Sequence, residues 1–243
     1  MFLIDADILV YRIGWSCNEE TEGVACRRLN SLLIDLLYID LNCSDEEDSY
    51  RTYELYLTGR GNFRHDYAVT AKYKGNRDDK PKPIHIQALR QHLIDKWDAI
   101  VTVDEEADDA IAIAATTLGE EAVIVSIDKD FLQVPTRMYN TRKRTMTTTN
   151  EAEAMLFLYR QMLMGDRIDN IIGIHGVGEV KSGKLLVDCT TEVEYYNKVV
   201  EIYAEREEID EEAAKVRVLE NARLLYLRRI VGEIWTPPTE RNL

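Results

Sequence analysis

Two runs of acidic residues carry the chemistry this sequence can do. Asp104, Glu105, Glu106, Asp108 and Asp109 open an apolar, Ala/Ile-rich segment, and after Gly119 a buried-type run, Ala122–Ile127, leads onto Asp128 and Asp130. Asp5 follows the short apolar start Phe2-Leu3-Ile4 in the same way, with Asp7 just beyond. Any one such acid has an ordinary explanation. Acids in a first helical turn complement the helix dipole by about 0.3–1 kcal/mol, and an Asp after a strand caps the next helix. The set is harder to explain. Glu106 and Asp109 are three apart on one helical face, and Asp128 and Asp130 share one side of an extended segment. Packed within a few ångströms, carboxylates raise one another's pKa or demand a cation. Mg²⁺ and Mn²⁺ prefer oxygen ligands from a few carboxylates, with water and substrate phosphate. Two such ions about 4 Å apart can activate water and stabilise the leaving oxygen of a phosphodiester. The four histidines stand near no matching motif, so no histidine-based or Ser-His-Asp arrangement competes.

Met164–Leu186 is the second informative stretch. Gly178, Gly183 and Lys184 match the start of a P-loop, but Leu185 replaces the required Ser or Thr and no long buried strand precedes it. A helix–turn–helix without a ligand is one reading. The other is an apolar-Gly-apolar-Gly hairpin, Ile174–Gly178, whose glycines let the backbone approach a phosphate at the N-terminus of the next helix. Such a site grips a nucleic-acid backbone without reading its sequence.

The elements that must position these residues alternate. Strands are expected at Phe2–Ile4, Arg51–Thr58, Ala99–Val103 and Ala122–Ile127, and helices to about Gly14 with Asp7 as the cap, over Arg27–Asn42, over Ile84–Trp97 and after Glu106. Gly59–Pro83 is polar, basic and without apolar periodicity, and a loop of that length marks a functional or mobile element. Two short strands follow within Arg137–Thr149, and Asn150 caps a helix to about Met164. The remainder reads as helical. The pattern predicts an α/β domain with a largely parallel sheet. Asp5, the Glu106 cluster and Asp128/Asp130 then fall at the carboxyl ends of strands, where such sheets keep their sites.

A chain of 243 residues holds one large domain or a core plus a smaller helical one. No apolar run approaches the ~18 residues of a membrane span, and the start lacks a basic n-region, so neither membrane nor signal peptide is expected. The four cysteines form no CxxC pair, which suits reduced thiols in a cytoplasm and argues against zinc. The net charge of −14 argues against nucleic acid only as a sum. Asp45–Asp48 and Glu201–Glu212 hold much of the excess, whereas Arg60–Lys96 carries nine cations against four acids, and Arg137–Arg144 adds four with none.

In order along the chain stand Leu-Ile-Asp (3–5), Asn-Phe-Arg (62–64), Tyr-Lys-Gly-Asn-Arg (73–77), Glu-Ala-Asp-Asp (106–109) and Ser-Ile-Asp-Lys-Asp (126–130). Gly-Asp-x-x-Asp-Asn and Gly-x-x-Gly-x-Gly follow over 165–178. In this series the chain resembles the flap endonuclease superfamily, in particular bacteriophage and bacterial 5′→3′ exonucleases. The resemblance covers most of residues 1–187. It implies a PIN-like core over 1–149 with a helical arch or clamp around 73–97. A mainly helical region over 150–243 would then carry a helix–three-turn–helix at about 165–187. The implied activity is metal-dependent hydrolysis of DNA phosphodiesters at 5′ ends, flaps and single-strand/duplex junctions, by a monomer, with RNA primers as further substrates. A phage-encoded member would act in the host cytoplasm. Of the two implied ions, Mg²⁺ or Mn²⁺, Asp5, Glu106 and Asp108 would serve one. Asp128, Asp130 and Asp166 would serve the other, with Asp109 and Asp169 in support. Lys74 and Arg77 resemble the basic pair that steers the scissile phosphate, Tyr73 a base-stacking residue, and Arg12 a phosphate contact. The Gly176-Val177-Gly178 carbonyls would hold K⁺ against the duplex, with Lys181 on the backbone. A non-catalytic DNA-binding relative and a PIN-like RNase are the alternatives.

This chain departs from the family pattern at Gly59, where an Asp usually contributes to the first metal site, with Asp7 or Asp66 as candidates to compensate. Val180 stands where the family often has a basic residue.

Overall fold

Four apolar or acidic residues begin the architecture. In a computed structural model describing residues 1–43 and 52–238, β1 (Phe2–Asp5) buries Leu3 and Ile4 completely and lies in the middle of a six-stranded sheet. It pairs in parallel with β2 (Tyr53–Arg60) on one side and β4 (Val123–Val125) on the other. β3 (Ile100–Val103) flanks β2 and β5 (Arg137–Asn140) flanks β4, again in parallel, and β6 (Thr145–Thr148) returns antiparallel. The strand order is β3-β2-β1-β4-β5-β6. Parallel neighbours need crossovers. These are supplied by α1 (Ala6–Ser16), α2 (Glu22–Ile34), α3 (Ile86–Trp97) and α4 (Ala107–Leu118). Leu9, Val10, Leu29, Leu33, Leu89 and Leu93 close one face of the sheet. The largely parallel α/β sheet is as expected.

Local differences have local reasons. Asp5, not Asp7, caps α1: its extended backbone turns its carboxylate onto the Ile8 N–H at 3.4 Å and leaves Asp7 in the first turn. The helix expected over Arg27–Asn42 starts at Glu22 and continues past Ile34 as a wider π-turn, Asp35–Asp40, buried at Leu36 and Leu37. Asp45–Asp48, and Arg51 at the expected start of the second strand, lie outside the described residues.

The chain divides into two compact units. The sheet and its crossovers form the first, from Met1–Asn62, Pro81–Phe131 and Thr136–Thr148; the second takes Phe63–Lys80, Leu132–Pro135 and everything from Thr149. In the second unit, α5 (Glu151–Met164) starts at the Asn150/Glu153 capping box. A two-residue ladder of β7 (Gly165–Asp166) and β8 (Ile171–Ile172) follows, then α6 (Glu179–Leu185), α7 (Glu192–Glu207) and α8 (Glu211–Leu225). Tyr159, Met162, Val199, Tyr203 and Val218 form its core. No helix among the described residues is long and apolar enough to cross a membrane.

Candidate active site

The carboxyl ends of β1 and β4 bring Asp5 and Asp128 together through one hydroxyl. Ile4 pairs with Val125 in the sheet, so the chains leave it side by side. The buried Ser126 Oγ donates to Asp5 Oδ2 at 2.9 Å and accepts from the Asp128 N–H at 3.0 Å. Asp128 Oδ1 in turn accepts from the Asp130 N–H at 2.9 Å. Burial pushes the Asp5 carboxyl up to about 7, the neighbouring charge of Asp7 adds to this, and the bonds from Ser126 and Ile8 oppose it. A smaller upward push comes from Asp128. The ionised form of Asp5 is therefore disfavoured by its own site and lacks a positive counterpart among its perturbing neighbours. An oxygen donor set in that state fits a hard divalent cation, which needs only one or two carboxylates and keeps several waters.

The second group of acids is held by the N-terminal turn of α4. Thr58 Oγ1 accepts from the Ala107 N–H at 3.0 Å, and Thr102 Oγ donates to the Glu105 carbonyl at 2.7 Å, so the ends of β2 and β3 fix this turn. Asp109 is fully buried and accepts from the Glu106 N–H at 3.3 Å, which makes it the return arm of a cap. Glu106 is nearly buried and Asp108 half-buried. Among the described residues no three His, Cys, Asp or Glu side chains converge tightly enough to hold an ion by themselves.

Gly59 has a steric cause. A Cβ there would overlap the Thr102 carbonyl oxygen and crowd Val101, because β2 and β3 shift register between Leu57 and Arg60. Its N–H donates to Thr102 Oγ1 at 3.2 Å. No aspartate can stand at 59 in this backbone. Of the two candidates to compensate, Asp66 is exposed and belongs to the second unit. Asp7 accepts the Thr58 N–H at 2.8 Å and pairs with Arg90, whose guanidinium also holds the Thr58 carbonyl.

In the second unit the loop 166–170 and the segment 72–77 are stitched to each other. Asp166 Oδ1 accepts the Ile168 and Asp169 N–H groups at 2.6 and 3.3 Å, shaping the loop. The Asp169 carbonyl accepts the Lys74 N–H at 2.8 Å. Its carboxylate takes the Tyr73 hydroxyl at 3.0 Å, Lys74 at 3.5 Å and the Arg77 guanidinium. Arg77 Nε also donates to the Ile168 carbonyl at 3.1 Å. Lys74 and Arg77 are thus neighbours around one carboxylate, which a phosphate can replace as their partner.

Tyr73 overturns its expectation. At 2% exposure it is part of the second unit's core, with its hydroxyl on Asp169, so its ring cannot stack on a base. The segment expected as a helical arch is irregular up to Ile86, apart from the short turn Gly75–Arg77. Pro81 and Pro83 exclude regular helix there. Lys184 and Leu185 end the seven-residue α6, and only the two-residue β8 precedes it, so there is no P-loop. In the hairpin, Ile174 and Val177 are buried anchors, and Gly176 adopts φ +71 with open space where a side chain would stand. Gly178 caps α6, and Lys181 Nζ reaches the Gly176 carbonyl at 3.4 Å. Arg12 is exposed on α1 in the first unit, and Val180 is exposed on α6.

Sequence reasoning missed Ser126, Arg90, Arg64 and Glu220. Ser126 stands inside a quoted motif, and only its contact with Asp5, 121 residues away, reveals its role. Arg64 is the largest fully buried side chain, with its Nε on the Leu224 carbonyl at 2.9 Å and Nη2 on that of Tyr226 at 2.8 Å. It ends the quoted Asn-Phe-Arg motif, and only these contacts, 160 and 162 residues away, show that it is buried.

Known proteins of similar sequence and structure agree with one another. A 5′-3′ exonuclease of Buchnera aphidicola subsp. Schizaphis graminum is 26% identical over 83% of this chain and 75% of its own length. A flap endonuclease Xni of Shewanella piezotolerans is 28% identical over 61% of each chain, so this chain spans less than two thirds of that relative. The 5′-exonuclease of bacteriophage T5, solved with bound zinc ions, shares the fold with a TM-score of 0.66 at 17% identity, over 93% of this chain and 88% of that one. The catalytic core of Rad2, solved with a DNA substrate, shares it with a TM-score of 0.52 at 15% identity, over 97% and 81%. Residues 1–157 match the family described as 5′-3′ exonuclease, N-terminal resolvase-like domain, and the chain belongs to that family.

Proposed function

We propose that this protein hydrolyses DNA phosphodiesters at or near 5′ ends, flaps included, with divalent metal held at the ends of β1 and β4. The observation that carries this reading is the buried Asp5, charge-frustrated and joined to Asp128 through Ser126. Asp5 and Asp128 would hold one Mg²⁺ or Mn²⁺, and Glu106, Asp108 and Asp130 would be the further oxygen donors of the same unit for this ion or a second. A cation bound there supplies Lewis acidity towards a phosphodiester and a water. Ser126 fixes the Asp5 carboxylate by donating to Oδ2 and leaves Oδ1 on the weaker cap to Ile8. Lys74 and Arg77 would exchange Asp169 for the scissile phosphate and stabilise its developing charge. The exposed hairpin at Gly176 would lie against the duplex backbone, with K⁺ on its carbonyls.

The direct test offers 5′-flap, blunt duplex and single-stranded DNA, and the matching RNA, in Mg²⁺, Mn²⁺ or EDTA. Cleavage of DNA from 5′ ends in either metal and none in EDTA is expected. Intact DNA in both metals, with binding retained, would leave the non-catalytic relative as the correct reading, and preferential RNA cleavage the RNase. Lys74→Ala tests the steering role: single-turnover cleavage should fall about 100-fold, the size of one lost charge stabiliser in a transition state. An unchanged rate removes Lys74 from the site.

A further inference from the structure

The basic segment Phe63–Lys80 has no secondary structure beyond two short 3₁₀ turns, Phe63–Asp66 and Gly75–Arg77, so side chains must set where Lys74 and Arg77 stand. From the side of loop 166–170 this is done by Asp169, Ile168 and Asn170. From the other side it is done by the C-terminal helix α8. The Glu220 carboxylate, 7% exposed, accepts the Val69 N–H at 2.8 Å, the Thr70 N–H at 2.6 Å and the Thr70 hydroxyl at 2.6 Å. Arg217, one turn earlier, adds a fourth donor at 3.0 Å and also contacts the Thr70 hydroxyl. Four donors fill the acceptor sites of an ionised carboxylate. A buried charge is costly unless satisfied in this way, and a satisfied one fixes geometry more sharply than an apolar contact.

What Glu220 fixes is four residues from a strained backbone. Lys74 has φ +55 and ψ 14, the left-handed region that a side chain enters only where its surroundings over-determine it. The Thr70 anchor holds the chain before that strain, the Asp169 carbonyl holds Lys74 itself, and the Ile168 carbonyl holds Arg77 beyond it.

We infer that Glu220 is a positioning residue for the reaction: by clamping Val69 and Thr70 to α8 it places Lys74 and Arg77 for the scissile phosphate. This gives the C-terminal region a part in catalysis without contact with substrate. It rests on the nuclease reading above.

The test compares wild type, Glu220→Ala and Glu220→Gln as full chains, each with and without Lys74→Ala/Arg77→Ala. In the wild-type background Glu220→Ala should lower single-turnover cleavage at saturating DNA by about 10- to 100-fold, the effect of a misplacement near 1 Å. DNA affinity in Ca²⁺ should stay within about 2-fold, since a positioning loss is a loss in rate. Glu220→Gln keeps an oxygen for the two amides and should recover most of the rate. In the doubly truncated background Glu220→Ala should cost nothing further. An equal loss in both backgrounds overturns the inference, because the residue then acts on the fold at large. Amide exchange gives a readout independent of activity: Glu220→Ala should speed exchange at Val69, Thr70, Lys74 and Arg77 while α5 and α7 stay protected. Unchanged exchange at Lys74 and Arg77 overturns the inference too, as does loss of protection throughout the unit. A wild type that cleaves nothing defeats the nuclease reading instead, and the exchange result still decides the positioning.

Discussion

Asp5→Asn is expected to abolish cleavage, by about 1,000-fold or more, and to raise the melting temperature of the metal-free protein at about pH 8. The two effects have one cause. The Asp5 carboxyl is buried and pushed up to about 7, against 3.8 for a free side chain, first by burial and then by the charge of Asp7. A group whose folded pKa is raised contributes stability below its unfolded pKa and loses it as pH rises through the folded one. Above about 7 the folded protein therefore carries the whole cost of an ionised Asp5, and acidification from there towards about 4 should recover it. A gap of about three units corresponds to a few kcal/mol as an upper bound. Asparagine removes the charge and keeps the cap, since Asn and Asp serve equally well at that position. The prediction reverses with metal. Mg²⁺ or Mn²⁺ should raise the melting temperature of wild type by binding the folded state alone, and leave the variant nearly unmoved. Melting curves of both proteins in EDTA and in excess Mg²⁺, at about pH 8 and pH 5, check it. A variant less stable than wild type in EDTA at the higher pH would show that Asp5 is held by partners rather than frustrated.

Substitution at Gly59 is expected to be strongly destabilising. The family resemblance invites Gly59→Asp as a repair of the proposed first metal site. The packing forbids it. A Cβ at 59 would run into the Thr102 carbonyl, a backbone atom that cannot turn aside, and the Val101 side chain stands close by. Relief requires β2 and β3 to separate where the Gly59 N–H donates to Thr102 Oγ1 and Thr102 donates to the Glu105 carbonyl. That relay holds the turn in front of Glu106, so the damage reaches the α4 acids. Gly59→Ala should cost about 3 kcal/mol or more, as overpacking against fixed backbone does, and Gly59→Asp at least as much. Chemical denaturation and Mn²⁺ titration of both variants decide the matter. Gly59→Asp with wild-type stability and tighter Mn²⁺ binding would show that the strand edge can open at no cost.

The two predictions divide along the line between what neighbours in sequence can show and what they cannot. Alternating strand and helix patterns gave the parallel sheet, because hydrophobic period is a local property and parallel strands demand crossovers. The ordered acidic motifs gave the family and placed Asp5 and Asp128 at strand ends. Asn150 marked the start of α5, and the structure adds Glu153 as the other arm of its capping box. Each of these is written within a few residues.

What depended on tertiary packing could not be read that way. Tyr73 beside Lys74 and Arg77 looks like a base-stacking residue in a basic loop, and becomes core only when Asp169, 96 residues on, takes its hydroxyl and residues of α5 join its cluster. The missing carboxylate at 59 looks like a weakened site until Thr102, 43 residues on, is seen to occupy the space. Arg64 and Glu220 are buried charges whose backbone partners lie about 150 residues away, beyond the reach of any local pattern. By itself the sequence determined which carboxylates lie at strand ends and which family the chain joins, since those follow from short-range pattern. Only the tertiary structure decided which charges are buried, what neutralises them and which positions admit no side chain. Those properties belong to the space between segments far apart along the chain.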